Sequence, residues 1–402
     1  MKPQPSLLRG LRRLRAPLLA VTTALCLDAA LAATWVVGPA GAPLDLAQAL
    51  ADAQDGDTIE LMPGRYTAEP MLIAGKRLTL VGTGERPVLA VGGDRSASAA
   101  AGLGPELSAI WTVRDADVTI DNIQFSGARG QDASGAGVRL DSGRLTLRRS
   151  AFFDNEIGVI TGNDGQAELM IEDCEFGRTP PEVGGLYHQL YVGRIASVVI
   201  RGSRFHQGFE GHLIKSRARR SLIAYNLIYD GSQGEASYEV DLPSGGDAVL
   251  IGNIIGQSGR TQNPVVVSYG SEGRVWERNR LLMSHNTLIS DYPLAWYLRA
   301  WADRLGPGTE VRAVNNLTVG TGVFALGAGG DFDGNWPALQ RMLVDPMLLS
   351  FELRADAFLR GRADDPRTLA GDQAVPTAEF SLPIGTRPLT PPTQWSPGAL
   401  QR

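Results

Sequence analysis

Hydrophobic positions along this chain recur in short bursts with a common register. An apolar residue is followed by two variable positions, usually a small or amide residue, one further position and another apolar residue. The register starts at Ile120, Leu147, Ile171, Ile200, Ile223, Leu250, Met283 and Ala313, at intervals of 23 to 33 residues. The slot three residues into each copy holds Ile123, Ser150, Cys174, Ser203, Asn226, Asn253, Asn286 and Asn316. Alternating apolar residues lead into several copies, as in Val118, Ile120 and Leu145, Leu147, and a period of two is the signature of a strand. Strand–turn units at loosely constant spacing predict an all-β chain wound as a parallel β-helix, one repeat per turn. Loops on one side absorb the variable spacing. A flat sandwich would not return asparagine to one slot four times. Asparagine there suits a turn, since it tolerates left-handed backbone and bonds locally, and stacked amides can bond one another as a ladder. Cys174 shares the slot with Ser150 and Ser203, which predicts a small buried thiol.

Other segments have other patterns. Leu44 to Ala53 has helical spacing and good helix formers, and predicts a short N-terminal helix capping the open end of the solenoid, where a bare sheet edge needs cover. Ser96 to Ser108 reads as an inserted loop. The repeat fades after Gly320, and the proline-rich residues 331–402 read as an irregular tail packed on a β-helix of residues 34–330. Residues 1–33 read as a signal peptide: a basic region (Lys2, Arg9, Arg12, Arg13, Arg15), an apolar run from Leu18 to Leu27, and a cleavage pattern at Ala30, Leu31 and Ala32. The apolar run is too short to span a membrane. The expected location is periplasmic or secreted, with no transmembrane segment after cleavage.

Removing those five basic residues and Asp28 takes the formal charge from −5 to −9. Nucleic acid, which needs a basic footprint, is excluded on that balance. An anionic polysaccharide held by a local basic patch is not. With Cys26 removed, Cys174 is alone and no internal disulfide can form.

Candidate chemistry concentrates between His188 and Asp241, which contains three of the four histidines (His188, His206, His212) and Lys215. Lysine is scarce here, with only Lys2 and Lys76 besides, and lysine can give up its proton where arginine cannot. Strand alternation sends Ile214 and Ser216 inward and Lys215 and Arg217 outward. It sends Leu190 and Val192 inward and Tyr191 outward, and Tyr238, Val240 and Leu242 inward with Glu239 and Asp241 outward. By the same count His188 and His212 face inward. Stacking then aligns Tyr191, Lys215 and Glu239 or Asp241, about 5 Å apart. Arg217, Arg219 and Arg220 would lower the lysine pKa as like charges do. No HExxH, GxSxG or P-loop motif occurs.

The opening DGDTIELMPGRY, the repeats over most of residues 35–330 and the closing LVDP and FELRADA segments resemble the right-handed parallel β-helix superfamily of pectate-lyase-like proteins. That resemblance implies carbohydrate-active or carbohydrate-binding work. Within it, EGHLIKSRARRSLIAYN resembles the catalytic turn of polysaccharide lyase family 6, the alginate lyase and chondroitinase B family. The resemblance implies Glu210 as a calcium ligand, Lys215 as Brønsted base and Asn226 as the turn asparagine. The family's catalytic arginine falls near Pro243 here, and a second ligand glutamate falls on Gly208.

Uronate β-elimination needs a base, neutralisation of the sugar carboxylate and an acid for the leaving oxygen. Lys215, Tyr191 and His212 are the candidate catalytic residues. Arg217, Tyr238, His188 and Tyr269 are candidates for holding substrate, with Tyr238 and Tyr269 further candidates for the acid. Glu210, Glu239 and Asp241 are candidate ligands for a Ca2+ ion, which favours hard oxygen donors. Two classes stay open: a lyase or epimerase acting on a uronic-acid polysaccharide, and a non-catalytic polysaccharide-binding or cell-surface β-helix.

Overall fold

The computed structural model describes Met1 and residues 32–39, 44–91, 109–130, 134–181, 187–327 and 329–402. The basic region, the apolar run and the Ser96 to Ser108 loop lie outside those residues. From residue 32 onward the chain is wound into three parallel sheets of 11, 10 and 11 strands. Each full turn contributes one strand to each sheet, as in Arg220–Ala224, Leu227–Tyr229 and Val240–Leu242. Inward positions stack into continuous rows. Val118, Leu145, Leu169 and Val198 pair in register along the first sheet and are all buried. Phe125, Phe152, Phe176 and Phe205 stack face to face inside the second, with ring centroids 5.4, 4.7 and 4.5 Å apart.

The turn between the first two sheets carries the repeat. All eight slot residues are buried. Each slot asparagine uses its whole amide. Asn253 Oδ1 accepts from the backbone N–H and the Nδ2 of Asn226 at 3.0 and 2.9 Å, while its own Nδ2 donates to the Ile223 carbonyl at 2.8 Å and to Asn286 Oδ1 at 2.9 Å. The ladder continues through Asn316 to Asn335, one rung beyond the last repeat read from the sequence. The left-handed geometry expected of the slot belongs to the residue before it: Asn122, Arg149, Asp173, Gly202, Tyr225, Gly252, His285 and Asn315 all have φ between 44° and 63°. The reversal is made one position early, and the slot side chain ties it to the next turn.

The N-terminal helix spans Leu46–Asp52, with Asp45 accepting from the Gln48 N–H and with Leu46 and Ala49 buried. At the other end, Trp336–Ala338 adds the last strand of the second sheet. Beyond it Leu343, Phe351, Leu353, Leu359, Phe380 and Leu400 pack on Leu227, Ile254, Ile289 and Leu317, which line the outer face of that sheet. Among the described residues no helix is long and apolar enough to cross a membrane.

Candidate active site

The third sheet presents one outward row in strict register. Tyr191 pairs with Lys215, Lys215 with Asp241, Asp241 with Ser268 and Ser268 with Arg299. Leu190, Val192, Ile214, Ser216, Val240 and Leu242 flank it and are buried, so these short strands are anchored on both sides of each outward residue. Lys215 Nζ lies 3.7 Å from Asp241 Oδ2 and 3.6 Å from Glu272 Oε1, with its side chain 14% exposed. Ser268 Oγ donates to Asp241 Oδ1 at 2.7 Å. Burial pushes the Asp241 carboxyl up to about 6 against the pull of Ser268 and Lys215, so near neutral pH a fraction of the molecules hold it protonated.

A second row runs beside the first. Tyr191, His188, His212 and Tyr238 stack with successive centroids 5.4, 4.7 and 4.7 Å apart. The backbone sets both imidazole tautomers: the His212 N–H donates to His188 Nδ1 at 2.9 Å, and the Tyr238 N–H donates to His212 Nδ1 at 3.3 Å. Each neutral ring therefore carries its proton on Nε2. His212 Nε2 lies 3.6 Å from Asp241 Oδ2. Burial lowers His188 to about 3 and His212 well below its ordinary value, with Lys215 and Arg217 adding to the effect.

These positions correct the alternation expected from sequence. His188 is buried and His212 half-buried, but both lie on the Lys215 side of the sheet, and Tyr238, expected inside, is half-exposed and stacks on His212. Glu239, expected outside, is fully buried. The cause is a break in parity just before each strand. Leu213 and Ile214 both join the core although they are consecutive, and Glu239 and Val240 are likewise both buried. Alternation counted back from the strand therefore fails one residue too early. Glu239 Oε2 lies 3.5 Å from Gln257 Nε2, its Oε1 has no hydrogen-bond partner, and burial raises its pKa well above the usual range. Tyr269 is also interior, its hydroxyl donating to the Gly246 carbonyl at 2.7 Å. It cannot touch a ligand on the outer face.

The proposed calcium ligands do not assemble. Glu239 is inside the solenoid, and Asp241 is engaged by Ser268, Lys215 and His212. Glu210 sits in a left-handed turn whose N–H bonds Glu235. Among the described residues no three His, Cys, Asp or Glu side chains converge as a metal site.

Arg217 lies over the Tyr191 ring at 5.0 Å and donates twice to Glu272, at 2.7 and 2.6 Å. These bonds hold the Glu272 carboxyl below its usual range. Arg219 and Arg220 are exposed, and Arg220 opens a strand of the first sheet, so Arg217 is the arginine of the three that stands beside Lys215. Glu272, Ser268 and Arg299 were not anticipated. Extending the register one and two turns past Asp241 would have found Ser268 and Arg299. Glu272 follows its strand in a loop, and no periodicity reaches it.

No protein-family profile and no curated protein matches the sequence. Among solved structures, pectate lyase Pel9A matches with a TM-score of 0.63 at 15% identity, covering 92% of this chain and 96% of that one. A mutant of the PL6 family alginate lyase AlyGC matches with a TM-score of 0.36 at 14% identity, covering 86% of this chain and 59% of that one. The strands, their register and the likeness to pectate lyase Pel9A agree on the fold: this chain is a parallel β-helix of about ten turns.

Proposed function

We propose that this protein is an exported, carbohydrate-active β-helix that cleaves a uronic-acid polysaccharide by β-elimination on the outer face of the third sheet. The observation that carries the reading is the outward row Tyr191, Lys215, Asp241, which sets an aromatic residue one strand before Lys215 and a carboxylate one strand after it. In this reading Lys215 Nζ, once free of its own proton, removes the proton from the carbon beside the sugar carboxylate. The electron pair left behind forms the ring double bond and expels the glycosidic oxygen, which takes a proton from the Tyr191 hydroxyl. Arg217 stands next to Lys215 to balance the sugar carboxylate, and cationic balance is what makes that carbon acid enough to react. The fold of pectate lyase Pel9A supports the reading by architecture alone. The basic region and cleavage pattern at the N-terminus support export.

A second reading is a protein that grips polysaccharide without cleaving it. The two carboxylates within 3.7 Å of Lys215 favour it, because they already occupy Lys215 Nζ as ion-pair partners. Incubation with alginate, pectate and glycosaminoglycans, read by the ultraviolet absorbance of new double bonds, separates the two. Product NMR on the same digests detects epimerisation, which forms no double bond. Binding without either signal would refute the catalytic reading.

A further inference from the structure

Three strands beyond Lys215, the same outward row reaches Arg299. At the usual inter-strand spacing the two cations stand roughly 14 Å apart along the solenoid. The Arg299 guanidinium lies 5.5 Å from the Trp296 ring centroid and 5.0 Å from that of Trp301. Trp301 has a second guanidinium, that of Arg304, at 5.7 Å, and Arg304 is tethered by a 2.5 Å bond to the Ser271 carbonyl. Trp296, Arg299 and Trp301 are all half-buried.

What sets Arg299 apart is the absence of an anion. Elsewhere on the solenoid surface the half-buried Arg139, Arg217 and Arg280 each pair with a carboxylate. Among the described residues no carboxylate pairs with Arg299, and its Nε is buried with no hydrogen-bond partner. Asp303, on the short helix that follows, is exposed and bonds neither arginine. A buried N–H left unpaired is costly, and a guanidinium flanked by indoles has its fork fixed for a planar, two-oxygen partner. The indole faces supply flat apolar area, which suits the C–H face of a pyranose ring.

We propose that Trp296, Arg299 and Trp301 form a binding subsite for one carboxylate-bearing sugar of a chain that crosses the strands and also covers Lys215. The inference rests on reading the Lys215 face as a sugar-binding surface. A pyranose in a polysaccharide is about as long as the gap between strands, so the sugar at Arg299 lies about three residues along from the one at Lys215. The row Asp241, Ser268 bridges the interval, and the half-exposed Tyr238, stacked on His212, lies on the same outer face.

The test is calorimetric titration of the full-length protein with pentagalacturonate and with pentamannuronate, each also as its methyl ester, with turnover followed in parallel. In Arg299→Gln the affinity for the acid form that wild type binds should fall roughly tenfold to a hundredfold, and that for its ester should stay unchanged. Arg299→Lys should recover part of the loss, since it restores charge without the fork. Unchanged affinity for the acid in Arg299→Gln overturns the subsite. So does an equal loss for acid and ester, which would assign Arg299 a structural role, and so does a wild type that binds neither pentasaccharide. A wild type that binds, loses binding in Arg299→Gln and forms no double bonds upholds the subsite and refutes elimination at Lys215. Turnover with binding indifferent to Arg299 does the reverse.

Discussion

Glu272 reaches Arg217 from two turns away, holding it with two hydrogen bonds while standing 3.6 Å from Lys215. In the proposed reading it occupies the place of a sugar carboxylate between the same two cations. Glu272→Gln should therefore tighten binding of acidic oligosaccharides several-fold. Its effect on stability should stay within about 1 kcal/mol, because the carboxylate lies at the surface, where water screens its ion pairs. Titration of wild type and variant with oligogalacturonate checks the first, and urea denaturation the second. Weaker binding in the variant would mean that Glu272 orients the site instead of competing for it.

Lys215→Arg should abolish turnover and leave the fold intact, because arginine keeps the charge near Asp241 and Glu272 but cannot act as a base. The measurements are the rate of double-bond formation and the thermal melting curve. Full activity would remove Lys215 from the mechanism.

Asn253→Ala should destabilise the protein by about 2–4 kcal/mol. It removes the acceptor of the buried Asn226 N–H, one of the two acceptors of the Asn226 amide and a donor to the Ile223 carbonyl, while Asn286 Oδ1 keeps the backbone N–H of residue 253. Asn335→Ala, at the half-buried end of the ladder, should cost clearly less. Equal midpoints in urea for Asn253→Ala and wild type would mean that the ladder contributes nothing net.

His285 gives a pH dependence of defined sign. It is buried near Trp395 of the C-terminal tail, with ring centroids 5.1 Å apart, and burial lowers it to about 3. Unfolded, it titrates near 6.5. The unfolded state therefore binds more protons between these values, so the neutral ring's contribution is complete above about pH 6.5 and lost as pH falls toward 3. His285→Asn, which suits the left-handed backbone there (φ 50°), should lose stability less steeply than wild type between about pH 7 and about pH 4. Parallel curves would show that His285 protonates freely in the native state.

The fold was legible because a solenoid writes its register into the sequence once per turn. The slot residues and the alignment of Tyr191, Lys215 and Asp241 follow from that periodicity. The site was legible only where strands are regular. His188, His212, Tyr238 and Glu239 were put on the wrong face because parity fails just before each strand. Glu272 and Trp276, whose indole N–H donates to the Arg217 carbonyl at 3.1 Å, come from a loop set by length and not by pattern. Trp296 and Arg299 lie in a strand where Tyr297 and Leu298 are both buried, and Trp301 follows it as a helix N-cap, so simple alternation does not bring the three to one face.

The asparagine ladder has a direction. From Asn226 to Asn316 each amide donates to the rung after it and accepts from the rung before it. A ladder of this kind has no preferred length. Copying a whole turn with asparagine in its slot leaves every donor and acceptor matched, whereas inserting half a turn would orphan several at once. Lengthening by whole-turn duplication is thus the change the interior accepts most readily, and it would carry the outward row with it. The reach of the surface over a bound chain can then be lengthened one strand at a time without redesigning the core.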